Sequence, residues 1–269
     1  MLISFIEMLQ YDFIVRAFVA GLLIAICAAL LGTNLVLRKQ SMIGDGLSHV
    51  AFGATVIAIA LGFTPLYVAI PAAILTSFLV IRINNSRKVD NDAAIAIMSA
   101  SALAIGAIAS TFSTSSIDLN AYLFGSILAI STSELIFIAV VATIVLATYL
   151  LLYRQIFAIT VDEKFAKSIG INTDIYNAIL AALCSVVVVL GMQMLGALLI
   201  SSLTIFPSVS ARHLAKSFKS TVILAIILAV ICFIFGLTAS YVFNLPTGAS
   251  IVIANLICLA ICRVYNKLR

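Results

Sequence analysis

The stretch Arg38-Lys-Gln-Ser-Met-Ile-Gly-Asp45-Gly-Leu-Ser-His49-Val-Ala-Phe-Gly53 puts a carboxylate and an imidazole at the start of a long apolar run. Asp45 and His49 are four residues apart, so a helix would present both side chains on one face. Ionisable groups at membrane depth are costly and generally mark a substrate or ion path. Carboxylate oxygen and imidazole nitrogen together suit divalent transition metals. The pair is therefore a candidate metal site.

The composition of the whole chain indicates a membrane protein. Of its 269 residues 64% are hydrophobic and 9% are charged, and the mean hydropathy is +1.27. So little polar surface would not keep a chain of this length in solution. A net charge of +5 would also suit a nucleic-acid-binding protein, but the basic residues lie in short loops between apolar runs, so we expect no nucleic-acid partner.

Apolar runs bounded by charged residues predict an all-α polytopic helical bundle with about nine membrane spans, and eight to ten at the limits. We expect one transmembrane domain over residues 1–269. The nine runs are 13–37, 44–61, 64–83, 92–112, 134–153, 174–191, 193–211, 220–240 and 247–265.

The basic residues predict the orientation of this bundle. If the N-terminus is outside, the loops after the odd-numbered spans are cytoplasmic. Fourteen of the fifteen Lys and Arg residues then lie on the cytoplasmic side, and only Arg16 lies elsewhere. This strong positive-inside bias predicts an N-out, C-in topology.

Two segments fit the scheme of simple spans poorly. Residues 113–131 are too short in their apolar part to cross the membrane and return, so we predict a re-entrant or interfacial helix on the outer side. The run 174–211 is interrupted by Gly191-Met-Gln-Met-Leu-Gly196, which we interpret as a tight outer turn between two short spans. Short or broken helices often line a transport path.

The longest cytoplasmic connection, residues 154–174, contains a short amphipathic helix near 162–170. Either Thr160 or Asp162 can cap it, and Glu163 favours its first turn. Phe165, Ala166 and Ile169 lie on one face, and Gly170 ends the helix. Such a helix either lies among the lipid headgroups or docks a protein partner. Both interpretations remain open at this stage.

No nucleotide-binding or hydrolytic motif is present in the sequence. It contains no GxxxxGK[ST] phosphate loop, no HExxH and no GxSxG. We therefore expect a non-enzymatic chain whose energy comes from a separate partner or from an ion gradient.

Four segments, in their order and spacing, resemble the permease subunits of ATP-binding cassette importers for manganese, zinc or iron. The resemblance extends over essentially the whole chain. The segments are Ser41-Met-Ile-Gly-Asp-Gly-Leu-Ser-His-Val-Ala-Phe-Gly53, Asp118-Leu-Asn-Ala-Tyr-Leu-Phe-Gly-Ser-Ile-Leu128, Asp162-Glu-Lys-Phe-Ala-Lys-Ser-Ile-Gly170 and Leu245-Pro-Thr-Gly-Ala-Ser250.

This resemblance implies a multi-pass permease in a bacterial plasma membrane, paired with a second copy or a paralogous permease. It implies cytoplasmic ATPase subunits, an extracytoplasmic metal-binding protein and no permanently bound cofactor. Asp45 and His49 would be the metal ligands, and the helix near 162–170 would be the coupling helix that contacts the ATPase. The coupling residues would be Asp162, Glu163, Phe165, Ala166 and Gly170.

Other interpretations of the same residues remain. Asp45 would also serve as a helix N-cap or as a partner of Arg38, and a lone His49 would also suit a packed, hydrogen-bonded site. A gradient-driven secondary metal transporter or channel would use the pair as a proton relay. A membrane metalloenzyme would require at least three ligands and a base. One chain offers two ligands and a two-fold pair offers four, which favours transport by a dimer and leaves the metal undetermined.

Overall fold

The computed structural model describes residues 11–85, 91–111 and 130–268. These residues form eleven helices, and no strand occurs among them. The helices are α1 (Asp12–Leu37), α2 (Met42–Ala60), α3 (Pro65–Asn85), α4 (Asn91–Thr111), α5 (Thr132–Leu151), α6 (Tyr153–Val161), α7 (Glu163–Ser168), α8 (Thr173–Leu195), α9 (Ala197–Leu214), α10 (Phe218–Phe243) and α11 (Thr247–Leu268).

Nine of the helices in these ranges are long and apolar enough to cross a membrane. Each corresponds to one of the nine apolar runs in the sequence, so the predicted all-α bundle is confirmed. The exceptions are α6 and α7, which have nine and six residues and lie between α5 and α8. The predicted re-entrant segment 113–131 falls almost wholly outside the described residues, and the N-out, C-in orientation stays a prediction.

The structure corrects two local predictions. The predicted turn over Gly191–Gly196 is shorter than expected: α8 continues to Leu195, and the chain reverses at Gly196 alone, where φ is +91°. Glycine adopts this backbone conformation readily because it has no Cβ. The connection 154–174 also contains α6 in addition to the expected short helix.

The helix that carries Asp45 and His49 lies in the middle of the bundle. The most apolar 18-residue window of α2 is 72% buried, against 17% for that of α4. Small residues allow its close approach to a neighbour: the backbone of Gly53 lies so near to Ala102 and Gly106 of α4 that a Cβ there would collide with the Ala102 carbonyl. Membrane helices commonly pack through small residues in this way. Close packing at the glycines of α2 therefore sets the orientation of this helix, and with it the direction that Asp45 and His49 face.

Candidate metal centre

Asp45 and His49 lie one turn apart on α2, on the face that their spacing predicts. Asp45 Oδ2 is 3.6 Å from His49 Nε2, and the two side chains are 38% and 27% exposed. An anionic oxygen and a ring nitrogen therefore point toward a common, accessible point. This is the geometry that two ligands of one divalent ion require.

A third side chain, Ser201 of α9, holds the carboxylate in place. Its Oγ donates a hydrogen bond of 2.9 Å to Asp45 Oδ1, which leaves Oδ2 on the side of His49. Sequence reasoning did not identify Ser201, because it lies 156 positions from Asp45. The sequence feature that could have pointed to Ser201 is the high number of Ser and Thr residues at positions 201–210.

Neither competing role of Asp45 occurs in the structure. The residue that precedes α2 is Ser41, and Asp45 is the fourth residue of the helix, so it is not the N-cap. Arg38 does not pair with Asp45 but with Glu163, at 2.7 Å between Nη2 and Oε2. The carboxylate of Asp45 instead contacts the side chains of Ser201 and His49.

The contact between Asp45 and Ser201 joins the early parts of two helices. Asp45 is the fourth residue of α2 and Ser201 the fifth of α9. Arg38, just before α2, bonds to Asn177 near the start of α8, so α2 and α8 begin at the same end of the bundle.

The described residues of one copy do not by themselves complete a metal site. In the ranges described above, no group of three or more His, Cys, Asp or Glu side chains lies close enough to hold an ion. His49 Nδ1 is buried and has no hydrogen-bond partner among those residues. Metal-bound histidines generally donate a hydrogen bond from the second ring nitrogen. Further ligands, and an acceptor for His49, must therefore come from beyond this set of residues.

The predicted coupling residues form a compact, capped helix. Asp162 accepts a hydrogen bond from the Phe165 amide at 2.9 Å and is the N-cap of α7. At the other end Gly170 has φ +88°, and the Ile171 amide bonds back to the Ala166 carbonyl. These contacts keep a six-residue helix formed although it is short.

Most of α7 is open to a partner. Phe165 is 61% exposed, and Lys164, Lys167 and Ser168 are exposed as well, whereas Ala166 is fully buried against the rest of the bundle. Glu163 lies between these extremes, with its side chain 42% exposed and its carboxylate paired with Arg38. Phe165 is the large apolar side chain that α7 exposes.

Comparison with known proteins identifies the class of this bundle. The ABC 3 transport family matches residues 10–265, which is most of the chain. The chain belongs to the ABC 3 transport family. It is accordingly a multi-pass cell-membrane permease subunit, and not an enzyme.

Relatives of this family member have been named as metal transport proteins. The chain is 32% identical to the manganese import system permease protein ScaB of Streptococcus parasanguinis, over 95% of this chain and 91% of the relative. It is 30% identical to the high-affinity zinc uptake system membrane protein ZnuB of Haemophilus influenzae, over 91% of this chain and 95% of that one.

A solved structure has the same fold. PsaBC from Streptococcus pneumoniae, determined in complex with Fab, matches with a TM-score of 0.88 and 30% sequence identity, over 97% of this chain and 95% of that chain. The similarity covers the whole bundle and therefore includes α2, α9 and the segment from α6 to α8.

Proposed function

We propose that this ABC 3 family permease imports a divalent transition metal, manganese or zinc first and iron as a further candidate, with Asp45 and His49 as its ligands. The observation that carries the proposal is the 3.6 Å approach of Asp45 Oδ2 to His49 Nε2 on α2, an otherwise apolar helix. Ionisable side chains are rare in such an apolar setting and generally serve transport. Relatives named for manganese and for zinc transport support the same class of substrate.

The incomplete ligand set supports a paired permease. Two ligands per chain are too few for a tetrahedral zinc ion or a six-coordinate manganese ion. A second copy related by a two-fold axis would add a second Asp45 and a second His49, which gives two carboxylates and two imidazoles. In this arrangement the ion lies at the interface between two copies, and assembly completes the site.

The proposed transport cycle uses two further kinds of protein. An extracytoplasmic metal-binding protein delivers the ion to the outer side, and cytoplasmic ATPase subunits contact α7. Binding and hydrolysis of ATP then switch the permease pair between outward-open and inward-open states. Ligands that held the ion equally tightly in the outward-open and inward-open states would not release it. Asp45 and His49 of one copy must therefore move relative to Asp45 and His49 of the other copy.

The test is metal uptake in cells that lack other importers of the same metal. We expect Asp45→Ala and His49→Ala each to abolish uptake, since each removes two ligands from the shared site. Matched controls exist for both changes. His213→Ala removes the other histidine of the chain, and Asp92→Ala removes an exposed carboxylate in the first turn of α4, so both should transport normally.

Two results would contradict the proposal. Native uptake by the His49→Ala permease would show that the pair is structural. Uptake that persists when the partner ATPase carries an inactive nucleotide site would favour the gradient-driven transporter instead. Competition between manganese, zinc and iron(II) in the same cells identifies the metal.

A further inference from the structure

Three polar side chains form a closed cluster at the end of the bundle where α1, α7 and α8 meet. Arg38 donates from Nη1 to Asn177 Oδ1 at 2.7 Å and from Nη2 to Glu163 Oε2 at 2.7 Å. Asn177 in turn donates from Nδ2 to Glu163 Oε1 at 2.8 Å. Each side chain thus bonds to both of the others. We call Arg38, Glu163 and Asn177 the triad.

Two of the three side chains in the triad are largely buried, whereas the Glu163 side chain is 42% exposed. The side chain of Arg38 is 11% exposed, and Asn177 is 7% exposed as a residue. Exposed pairs contribute little, but a guanidinium removed from water needs its partner, and loss of that partner leaves an uncompensated charge. The position of Glu163, and with it the start of α7, is therefore tied to the position of Arg38.

A second polar contact joins the same two parts of the chain one turn away. Thr160, at the end of α6, donates to Asn34 Oδ1 at 3.1 Å, and Asn34 donates to the Tyr149 hydroxyl at 3.1 Å. All three residues are buried. The segment that presents α7 therefore holds the last turn of α1 at two levels, Asn34 and Arg38.

The last turn of α1 is connected to Asp45 by a short, hydrogen-bonded turn. The Gln40 amide bonds to the Leu35 carbonyl at 2.8 Å, and the Ile43 amide bonds to the Gln40 carbonyl at 3.1 Å. The turn occupies residues 38–41, and Asp45 lies in the first turn of α2. Only a few hydrogen-bonded residues therefore separate Arg38 from the backbone that carries Asp45.

Space beside the triad allows its geometry to change. A cavity of about 50 Å³ borders the triad, with Gln40 and Ser77 on its polar side and apolar side chains, among them Leu35 and Leu180, on the rest. Close-packed interiors resist such changes, whereas a cavity of this size beside polar groups accommodates water or a new side-chain position. The triad therefore has a short connection to α2 and room to rearrange.

We propose that the triad couples α7 to the metal site: movement of α7 acts through the Glu163–Arg38 ion pair on the turn before α2 and so repositions Asp45. The inference rests on the proposed function, in which a partner ATPase moves α7. In this role Arg38 and Glu163 are positioning residues, which touch neither the ion nor the nucleotide.

The experiment uses the complete importer, reconstituted in liposomes with its ATPase and its metal-binding protein and supplied with manganese(II), zinc(II) or iron(II). The measured quantity is the number of metal ions imported per ATP hydrolysed, together with the amount of ATPase that co-purifies. Variants are Glu163→Gln, Arg38→Gln, both together, and the charge-swapped Arg38→Glu/Glu163→Arg pair. Asp174→Asn is the control, because it removes an exposed carboxylate from the first turn of α8.

We expect the Arg38→Gln variant, whose changed residue lies outside α7, to retain its ATPase, and we expect both single variants to import at least about five-fold fewer ions per ATP hydrolysed, the usual size of coupling between two sites. The double variant should be no worse than either single one, because both remove the same interaction. The charge-swapped pair should recover most of the ratio, and Asp174→Asn should equal wild type. A purely structural triad would lower stability or assembly without changing ions per ATP.

Two results would overturn the coupling role while leaving the proposed function intact. One is an unchanged ratio of ions to ATP in both single variants. The other is a loss of transport that matches the loss of bound ATPase. Wild-type liposomes that accumulate none of manganese(II), zinc(II) and iron(II) would instead overturn the proposed function, and the coupling role with it.

Discussion

Ser201 Oγ donates a hydrogen bond of 2.9 Å to Asp45 Oδ1, across the gap between α9 and α2. The bond fixes the carboxylate so that Oδ2, not Oδ1, lies 3.6 Å from the His49 ring. Residues that hold a ligand are often nearly as important as the ligand, because they set its orientation before the ion arrives.

We expect Ser201→Ala to weaken metal binding by the purified permease about ten-fold, the lower end of the usual effect of removing such a support. Its neighbour Ser202 is the control, since Ser202 bonds only to the Leu199 carbonyl of its own helix in the structure. Binding is measured by titration of manganese(II) or zinc(II). Equal affinities for Ser201→Ala and Ser202→Ala would show that the serine does not orient Asp45.

Glycines of α2 provide a test of helix packing that is separate from transport. A Cβ on Gly53 would collide with the Ala102 carbonyl of α4, whereas a Cβ on Gly44 would meet Thr204 Oγ1 at an ordinary 3.5 Å. Gly53→Ala should therefore destabilise the permease by about 1–3 kcal/mol, the usual cost of overpacking. Gly44→Ala should be nearly neutral. Thermal unfolding of the two purified variants measures the difference, and equal melting temperatures would refute the packing model.

How much of this structure the sequence predicts depends on the range of the interaction. The membrane spans follow from local hydropathy, and the shared face of Asp45 and His49 follows from a four-residue spacing. The ends of helices are less predictable. The sequence predicts a turn that begins at Gly191, but Gly191 is a helical residue of α8 that packs close to Ile200, and α8 continues to Leu195.

Contacts between distant residues were not predictable from local pattern. Arg38 is seven residues from Asp45, so pairing of the two was a reasonable alternative, yet its partner is Glu163, 125 positions away. The choice depends on where α7 folds against α1, which no periodicity encodes. Similarly, Ala166 is completely buried because of the way the chain folds around α7. The amphipathic pattern of the sequence does not predict this burial.

Phe165 is the residue through which we expect α7 to bind the ATPase, because its ring is 61% exposed while Ala166 beside it is fully buried. Truncation of an aromatic anchor at the centre of an interface generally costs about 2 kcal/mol or more. Phe165→Ala should then weaken ATPase binding at least about 30-fold. Val161→Ala, at a 64% exposed position just before α7, is the control.

The readout is ATPase retained on immobilised permease over a range of ATPase concentrations. Equal retention by Phe165→Ala and Val161→Ala would contradict the docking role of α7. Ala166→Gln provides a contrast: a long polar side chain at a fully buried site should lower the melting temperature of the permease itself.

The orientation of the bundle is tested at the two ends of α10, which at 1.5 Å per residue is about 39 Å long and reaches across a membrane. Leu245 follows this helix and is 51% exposed, and Lys216, also exposed, precedes it. The positive-inside distribution places Leu245 outside and Lys216 in the cytoplasm. A membrane-impermeant maleimide on intact cells should therefore label Leu245→Cys, and should label Lys216→Cys only after permeabilisation. Labelling of the parent chain gives the background from its five native cysteines. The reverse pattern would invert the topology and would move α7, with Phe165, to the side of the membrane where no ATP is available.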